Sequence, residues 1–161
     1  MNSMNNSRIP QWIEVKIRYD KQTDAGKWVK ATEPYLVDAL SCTEAEARIT
    51  DEVARFISGE CNVLSVNKTR ISEVFWNTGD GADRFYKVKV NFITIDEKTG
   101  TEKRTATYIL VQASDFTSAL SRFNEGMRGT IGDYEVEAIT ETKLVDVYGA
   151  GRSSEADGDP D

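Results

Sequence analysis

Residues 35–75, YLVDALSCTEAEARITDEVARFISGECNVLSVNKTRISEVF, read as three elements in succession. Tyr35 to Ala39 is the end of a strand, Ser41 to Ser58 a helix, and Val63 to Phe75 a return strand. Ser41 stands three residues before Glu44, the spacing of a capping box in which a serine hydroxyl and a glutamate carboxylate satisfy free N–H groups at a helix start. Behind it Ala45, Ile49, Val53 and Phe56 recur at helical spacing on one face, while Glu46, Arg48, Asp51, Glu52 and Arg55 lie largely elsewhere. Gly59 supplies a C-terminal stop.

Upstream, Ile13, Val15, Ile17 and Tyr19 alternate with Trp12, Glu14, Lys16 and Arg18, the period of a half-buried strand. Residues 20–26 carry turn chemistry, and Lys27 to Ala39 returns as the second strand of a hairpin. Pro34 in that return cannot donate to a ladder, which predicts a bulge or an edge with the missing N–H facing outward. Downstream the order repeats. Tyr86, Val88, Val90 and Phe92 alternate with Phe85, Lys87, Lys89 and Asn91, and residues 96–100 form a hairpin turn ending in glycine. Arg104 to Ala113 returns. Ser114 or Asp115 caps a helix with the stripe Phe116, Ala119, Leu120, Phe123 and Met127, and Tyr134 to Tyr148 is a last strand.

An offset of 73 positions matches Val15 with Val88, Ile17 with Val90, Thr69 with Thr142 and Phe75 with Tyr148; an offset of 74 matches Val37 with Val111, Ala45 with Ala119 and Arg48 with Arg122. The chain therefore reads as an α+β protein of tandem duplicated β-β-α-β units (11–76 and 85–148). A lone three-stranded unit with one helix is marginal, since small domains bury too little surface. The expectation is one domain over 11–148, a roughly six-stranded, mostly antiparallel sheet with both helices on one face. The inward set is Ile13, Val15, Ile17, Val88, Val90 and Phe92, and the other face stays open. Residues 1–10 and the acidic tail 149–161 are expected to be disordered.

Composition narrows the function classes. The 161 residues are 39% hydrophobic and 29% charged, with no histidine. Without histidine the commonest general base and most transition-metal sites are missing, so the reading is non-enzymatic, with no metal and no cofactor. No apolar run reaches the roughly 20 residues of a membrane span. The N-terminal residues lack the apolar core of a signal peptide. Both features predict a soluble cytoplasmic protein without membrane contact. Cys42 and Cys61 flank one helix and are read as free thiols. The net charge is −7, and the tail contributes a disproportionate share. Asp80 and Asp83, or Asp96 and Glu97, are better explained by turn chemistry than by a cation site.

The candidate site is the outward face of the leading strands. Trp12, Lys16 and Arg18 correspond to Phe85, Lys89 and Asn91, with Lys87 alongside; Trp28, Lys30, Arg104 and Tyr108 share the face if the strand parities hold. Aromatic rings between basic residues suit single-stranded nucleic acid, whose bases stack while cations neutralise phosphates. The plainer explanation is that the cations solvate an exposed face and the aromatics cap the core or an oligomer contact. The acidic tail is a candidate for recruiting a protein partner, or simply for solubility.

The run Tyr35 to Arg48, with residues 12–20 upstream and 92–100 downstream, resembles a family of uncharacterised proteins encoded by gut bacteria, their phages and mobile elements. The resemblance spans most of residues 12–148, excluding both tails, and implies no catalytic residues. The arrangement of strand, Ala-x-Ser/Thr-x-x-Glu-Ala, helix and return strand is also similar to the β-β-α-β modules of ribosomal L18a-type proteins. The combined expectation is a non-catalytic protein binding single-stranded DNA in phage or mobile-element DNA metabolism. The alternative is an oligomeric structural or adaptor protein, or an inhibitor of a host system, using the open face for protein contact.

Overall fold

In the computed structural model, which describes residues 9–149, the alternation of the leading strand becomes β1 (Gln11–Gln22) with Ile13, Val15, Ile17 and Tyr19 buried. β2 (Trp28–Ala39) returns against it with Ile13 opposite Val37 and Val15 opposite Tyr35. Ser41 caps α1 (Cys42–Val53), its side chain accepting from the Glu44 N–H. The Glu44 carboxylate accepts in turn from the Leu40 N–H at 2.6 Å, one residue earlier than in a standard capping box. Ala45, Ile49 and Val53 bury the helix on the sheet. The helix stops at Val53 rather than near Ser58, and Phe56, expected on the buried stripe, is 56% exposed. β3 (Cys61–Lys68) then pairs antiparallel with the free edge of β1.

The return strand does not run on to Phe75. The Thr69 N–H and hydroxyl both donate to the Trp12 carbonyl, at 3.0 and 2.8 Å, and the β3 ladder ends there. β4 (Ile71–Phe75) pairs instead in parallel with β6 (Glu102–Ala113), which forms a hairpin with β5 (Arg84–Ile95). The second repeat does the same. After α2 (Phe116–Gly126) and β7 (Asp133–Glu141), the Thr142 N–H and hydroxyl both donate to the Phe85 carbonyl, at 2.9 and 2.8 Å. β8 (Asp146–Tyr148) then pairs in parallel with β2.

The expected single six-stranded sheet is therefore two four-stranded sheets, ordered β3-β1-β2-β8 and β4-β6-β5-β7. The repeat is β-β-α-β-β, and each copy places its last strand in the other copy's sheet. Matching is exact to the residue: Val74 lies opposite Leu110 and Val147 opposite Leu36, with Phe75 opposite Val111 and Tyr148 opposite Val37. The chain accordingly groups into two compact units, residues 9–69 with 143–149 and residues 70–142. Expectations for the terminal segments fall mostly on residues 1–8 and 150–161, outside the described residues.

Each unit has its own core beneath its own helix. In the second, Tyr86, Val88, Val90, Val111, Ala119, Phe123 and Met127 pack together, with Phe92 at the margin. Pro34 produces no bulge against β1. Its carbonyl accepts from the Val145 N–H at the start of β8, so its missing donor faces away from β1, just before the three-residue β8 pairing begins. Cys42 and Cys61 are free and half-buried. Among the described residues no helix is long and apolar enough to cross a membrane.

The exchanged strand β4 is seated closely. Phe75 lies 6.1 Å from Phe123, ring centre to ring centre, and a Cβ added at Gly126 would come within 2.5 Å of the Phe75 ring. Glycine at the end of α2 is thus required by the close approach of a nearly buried ring. Gly126→Ala should destabilise the protein by about 1–3 kcal/mol, despite alanine's better helix propensity, because the ring must shift within a packed core. Urea unfolding measures this; an unchanged or raised stability would show that Phe75 is not held there.

Candidate nucleic-acid interface

Hairpin register decides which side chains share the helix-free face. In the first unit Trp12 lies opposite Asp38, Lys16 opposite Pro34, Arg18 opposite Thr32, Lys30 opposite Asp20 and Trp28 opposite Gln22. All five candidate side chains of this unit therefore sit on one face, away from α1. Ten residues separate the rows of Trp12 and Gln22, so the stripe is about 33 Å long at the usual strand rise. Trp12 is half-buried at one end, and Trp28 is 61% exposed at the other.

The cations between them differ. Lys30 pairs with Asp20 at 3.1 Å, but Lys16 and Arg18 are exposed and form no ion pair among the described residues. Beside them on β3, Ser65 lies opposite Lys16 and Asn62 opposite Arg18.

The second unit brings its candidates onto one face but occupies them. Lys87, Lys89, Arg104 and Tyr108 share the helix-free side, with Lys89 opposite Tyr108 and Arg104 opposite Ile93. Phe85 lies there too but is only 2% exposed, so it offers no ring to a base. Alternation assigned its face correctly; that this end of the face is buried, with Leu110 and Gln112 buried as well, is a tertiary property. Lys89 pairs with Glu137 at 3.1 Å, Asn91 donates to the same carboxylate at 2.8 Å, and Arg104 pairs with Glu135 at 2.7 Å. The hydrogen bond from Asn91, with that from Lys89 and its charge, holds the Glu137 carboxyl below its ordinary range. Lys87 and Arg70 both lie over the Tyr108 ring, at 5.5 and 4.9 Å from its centre.

Aligned at the repeat offset of 73, Glu135 and Glu137 of β7 replace Asn62 and Leu64 of β3. The two copies thus differ at these positions on one frame: Lys16 and Arg18 form no ion pair among the described residues, whereas Lys89 and Arg104 are held by glutamates. The acidic residues of β7 were legible as letters but not as partners, because their relevance depends on β7 lying against β5.

A second polar constellation lies on the helix side of the first unit. The Glu33 carboxylate accepts from Tyr19 at 3.0 Å, from Tyr35 at 3.2 Å and from Lys21 at 3.3 Å. Tyr35 also stacks on Tyr148, 6.2 Å between ring centres. Among the described residues no three acidic or cysteine side chains gather in a way that could hold a metal ion.

A profile described as a domain of unknown function (DUF4494) matches residues 11–150, and the chain belongs to that family. No curated protein matches the sequence.

The phenols give this region a pH signature. Burial first, then the hydrogen bond to Glu33 and its charge, push the Tyr19 hydroxyl up to about 12; burial and Glu33 push Tyr35 up as well. Well below about pH 10, both phenols are neutral folded and unfolded, and their contribution to stability is complete. Above that the unfolded chain ionises first, so stability falls progressively as pH rises toward the folded value. Between about pH 9 and 11.5 the melting temperature should drop more steeply for the native sequence than for Tyr19→Phe. Parallel curves would refute the raised pKa.

Proposed function

We propose that this protein is a non-catalytic nucleic-acid-binding protein that takes single strands, DNA in the first place, on the helix-free face of its first unit. One observation carries the reading: Lys16 and Arg18 are exposed and free of ion pairs among the described residues, in a stripe between Trp12 and Trp28. Unpaired cations can release counterions from phosphates, and an exposed indole offers a stacking surface tolerant of sequence. Lys30, already paired with Asp20, contributes less. The second unit's Lys87, Lys89, Arg104 and Tyr108 are secondary in this reading, and Phe85 drops out as a stacking platform. A setting in phage or mobile-element DNA metabolism rests on the sequence resemblance alone, as does kinship with L18a-type modules. Cytoplasmic location, and recruitment of a partner through the acidic tail, belong to the same proposal.

A second reading, protein contact leading to oligomer or adaptor behaviour, is favoured on the second unit. There Lys89 and Arg104 already have carboxylate partners, which removes the feature that phosphates need.

Fluorescence anisotropy with a labelled single-stranded oligonucleotide tests the proposal. Binding should be micromolar at low salt and weaken as salt rises. Each lost phosphate contact reduces the log–log salt slope by about 0.7 for single strands, so Lys16→Ala with Arg18→Ala should lower it by about 1.4. The melting temperature should barely change, since both side chains are exposed. Absence of binding at low salt, or a double variant that binds with the same slope, would overturn the proposal.

A further inference from the structure

The first unit contains a cleft of about 530 Å³ between the segment following α1 and the far end of its sheet. Its volume is within the range of sites for small ligands. Tyr19, Lys21, Glu33, Tyr35 and Tyr148 form its polar and aromatic floor, and exposed Phe56, Val145 and Trp28 rim it. Asp146 adds a carboxylate, as does Asp20, which is paired with Lys30, and Lys21 is the single cation in the lining.

The fold does not demand this constellation. At the matching positions of the second unit stand Phe92 for Tyr19, Thr94 for Lys21, Thr107 for Glu33, Ile109 for Tyr35 and Phe75 for Tyr148. None of these five residues is charged. The first unit instead keeps a carboxylate whose side chain is only 15% exposed, and uses two phenols and a lysine to hold it. Both phenols donate to one oxygen, Oε1, while Lys21 donates to the other, Oε2. Lys21 is itself 55% exposed at its side chain, so this third partner is loosely held and replaceable.

We propose that this cleft is a binding site for an organic cation on an apolar stem, the arginine or lysine side chain of a partner polypeptide, with Lys21 as its resident stand-in. An anion would meet the Glu33 and Asp146 carboxylates. A plain hydrocarbon would bury Glu33 without answering its charge. An ammonium or guanidinium group in place of the Lys21 amine satisfies Glu33 Oε2, lies among ring faces that attract cations, and leaves its methylene stem against Phe56 and Val145. The site is separate from the Lys16–Arg18 stripe, although Trp28, near the hairpin tip, borders both.

The test is a titration of the isotopically labelled full-length protein with N-acetyl-arginine amide, followed by amide and indole resonances. Saturable shifts with a dissociation constant on the order of 1 mM are expected for a ligand of this size. They should centre on residues 19–22, residues 56–58 and the Trp28 indole, and spare residues 92–95. N-acetyl-glutamate amide should produce none. Glu33→Gln should weaken binding about tenfold or more. Because that variant could also disturb folding, Phe56→Ser, altering only an exposed rim side chain, should weaken binding at unchanged melting temperature. Lys21→Met should tighten it roughly two- to fivefold, the competition expected from an exposed ion pair, a gain that a purely structural role for Lys21 would not give. Equal shifts with the acidic control, no saturation, or weaker binding by Lys21→Met would overturn the site. A free diamine binding more tightly than an arginine-containing peptide would overturn the polypeptide source.

Discussion

Parallel pairing of β8 with β2, and of β4 with β6, is the constraint on which the rest of this structure depends. Each repeat supplies three strands and a helix to one sheet and its last strand to the other. Neither four-stranded sheet is complete from its own repeat. The switch is made by local chemistry: Thr69 and Thr142 each spend both backbone N–H and hydroxyl on a single carbonyl of the leading strand, closing the antiparallel ladder. The residues that follow are then free to pair elsewhere. Phe75 and Tyr148 become the aromatic pieces of the borrowed strands, one packed on Phe123 and the other on Tyr35.

On this shared frame the two copies have diverged where packing leaves freedom. Core positions on the strands and helices keep their apolar character, because a change there opens a cavity or forces strain. The helix-free face and the open end of the helix side are less constrained. β3 sets neutral residues beside Lys16 and Arg18, whereas β7 sets glutamates beside Lys89 and Arg104. Glu33 gathers Tyr19, Tyr35 and Lys21 in one unit, and the other carries Thr107 at the matching position. Both functional proposals rest on these contrasts, since a feature present in one copy and dispensed with in the other is not required by the fold.

Much of this was legible in the sequence. Strand alternation, both helix caps and the repeat offset depend on residues close together in the chain, and they located β1, β2, β5, β6 and both helices. Hairpin register then placed Trp12, Lys16, Arg18, Trp28 and Lys30 on one face. The strand exchange was not legible. A duplicated sequence has the same offset whether each last strand stays home or crosses, and residues 63–75 carry no glycine or proline at the break. Burial of Phe85 escaped for a related reason, because alternation gives the side of a sheet but not what covers it. The carboxylate partners of Lys89 and Arg104 required knowing that β7 neighbours β5. Phe56 followed the helical period beyond the point where the helix ends.

Strand exchange is also the claim most directly open to measurement. Amide-to-amide nuclear Overhauser contacts from residues 146–148 separate the two arrangements, because parallel neighbours bring backbone protons within range. Strand exchange gives contacts between Val147 and the backbone of residues 35–37, and between Val74 and residues 109–111. Contacts from Val147 to residues 109–111, and from Val74 to residues 35–37, would mean that each repeat keeps its own last strand, and would contradict it.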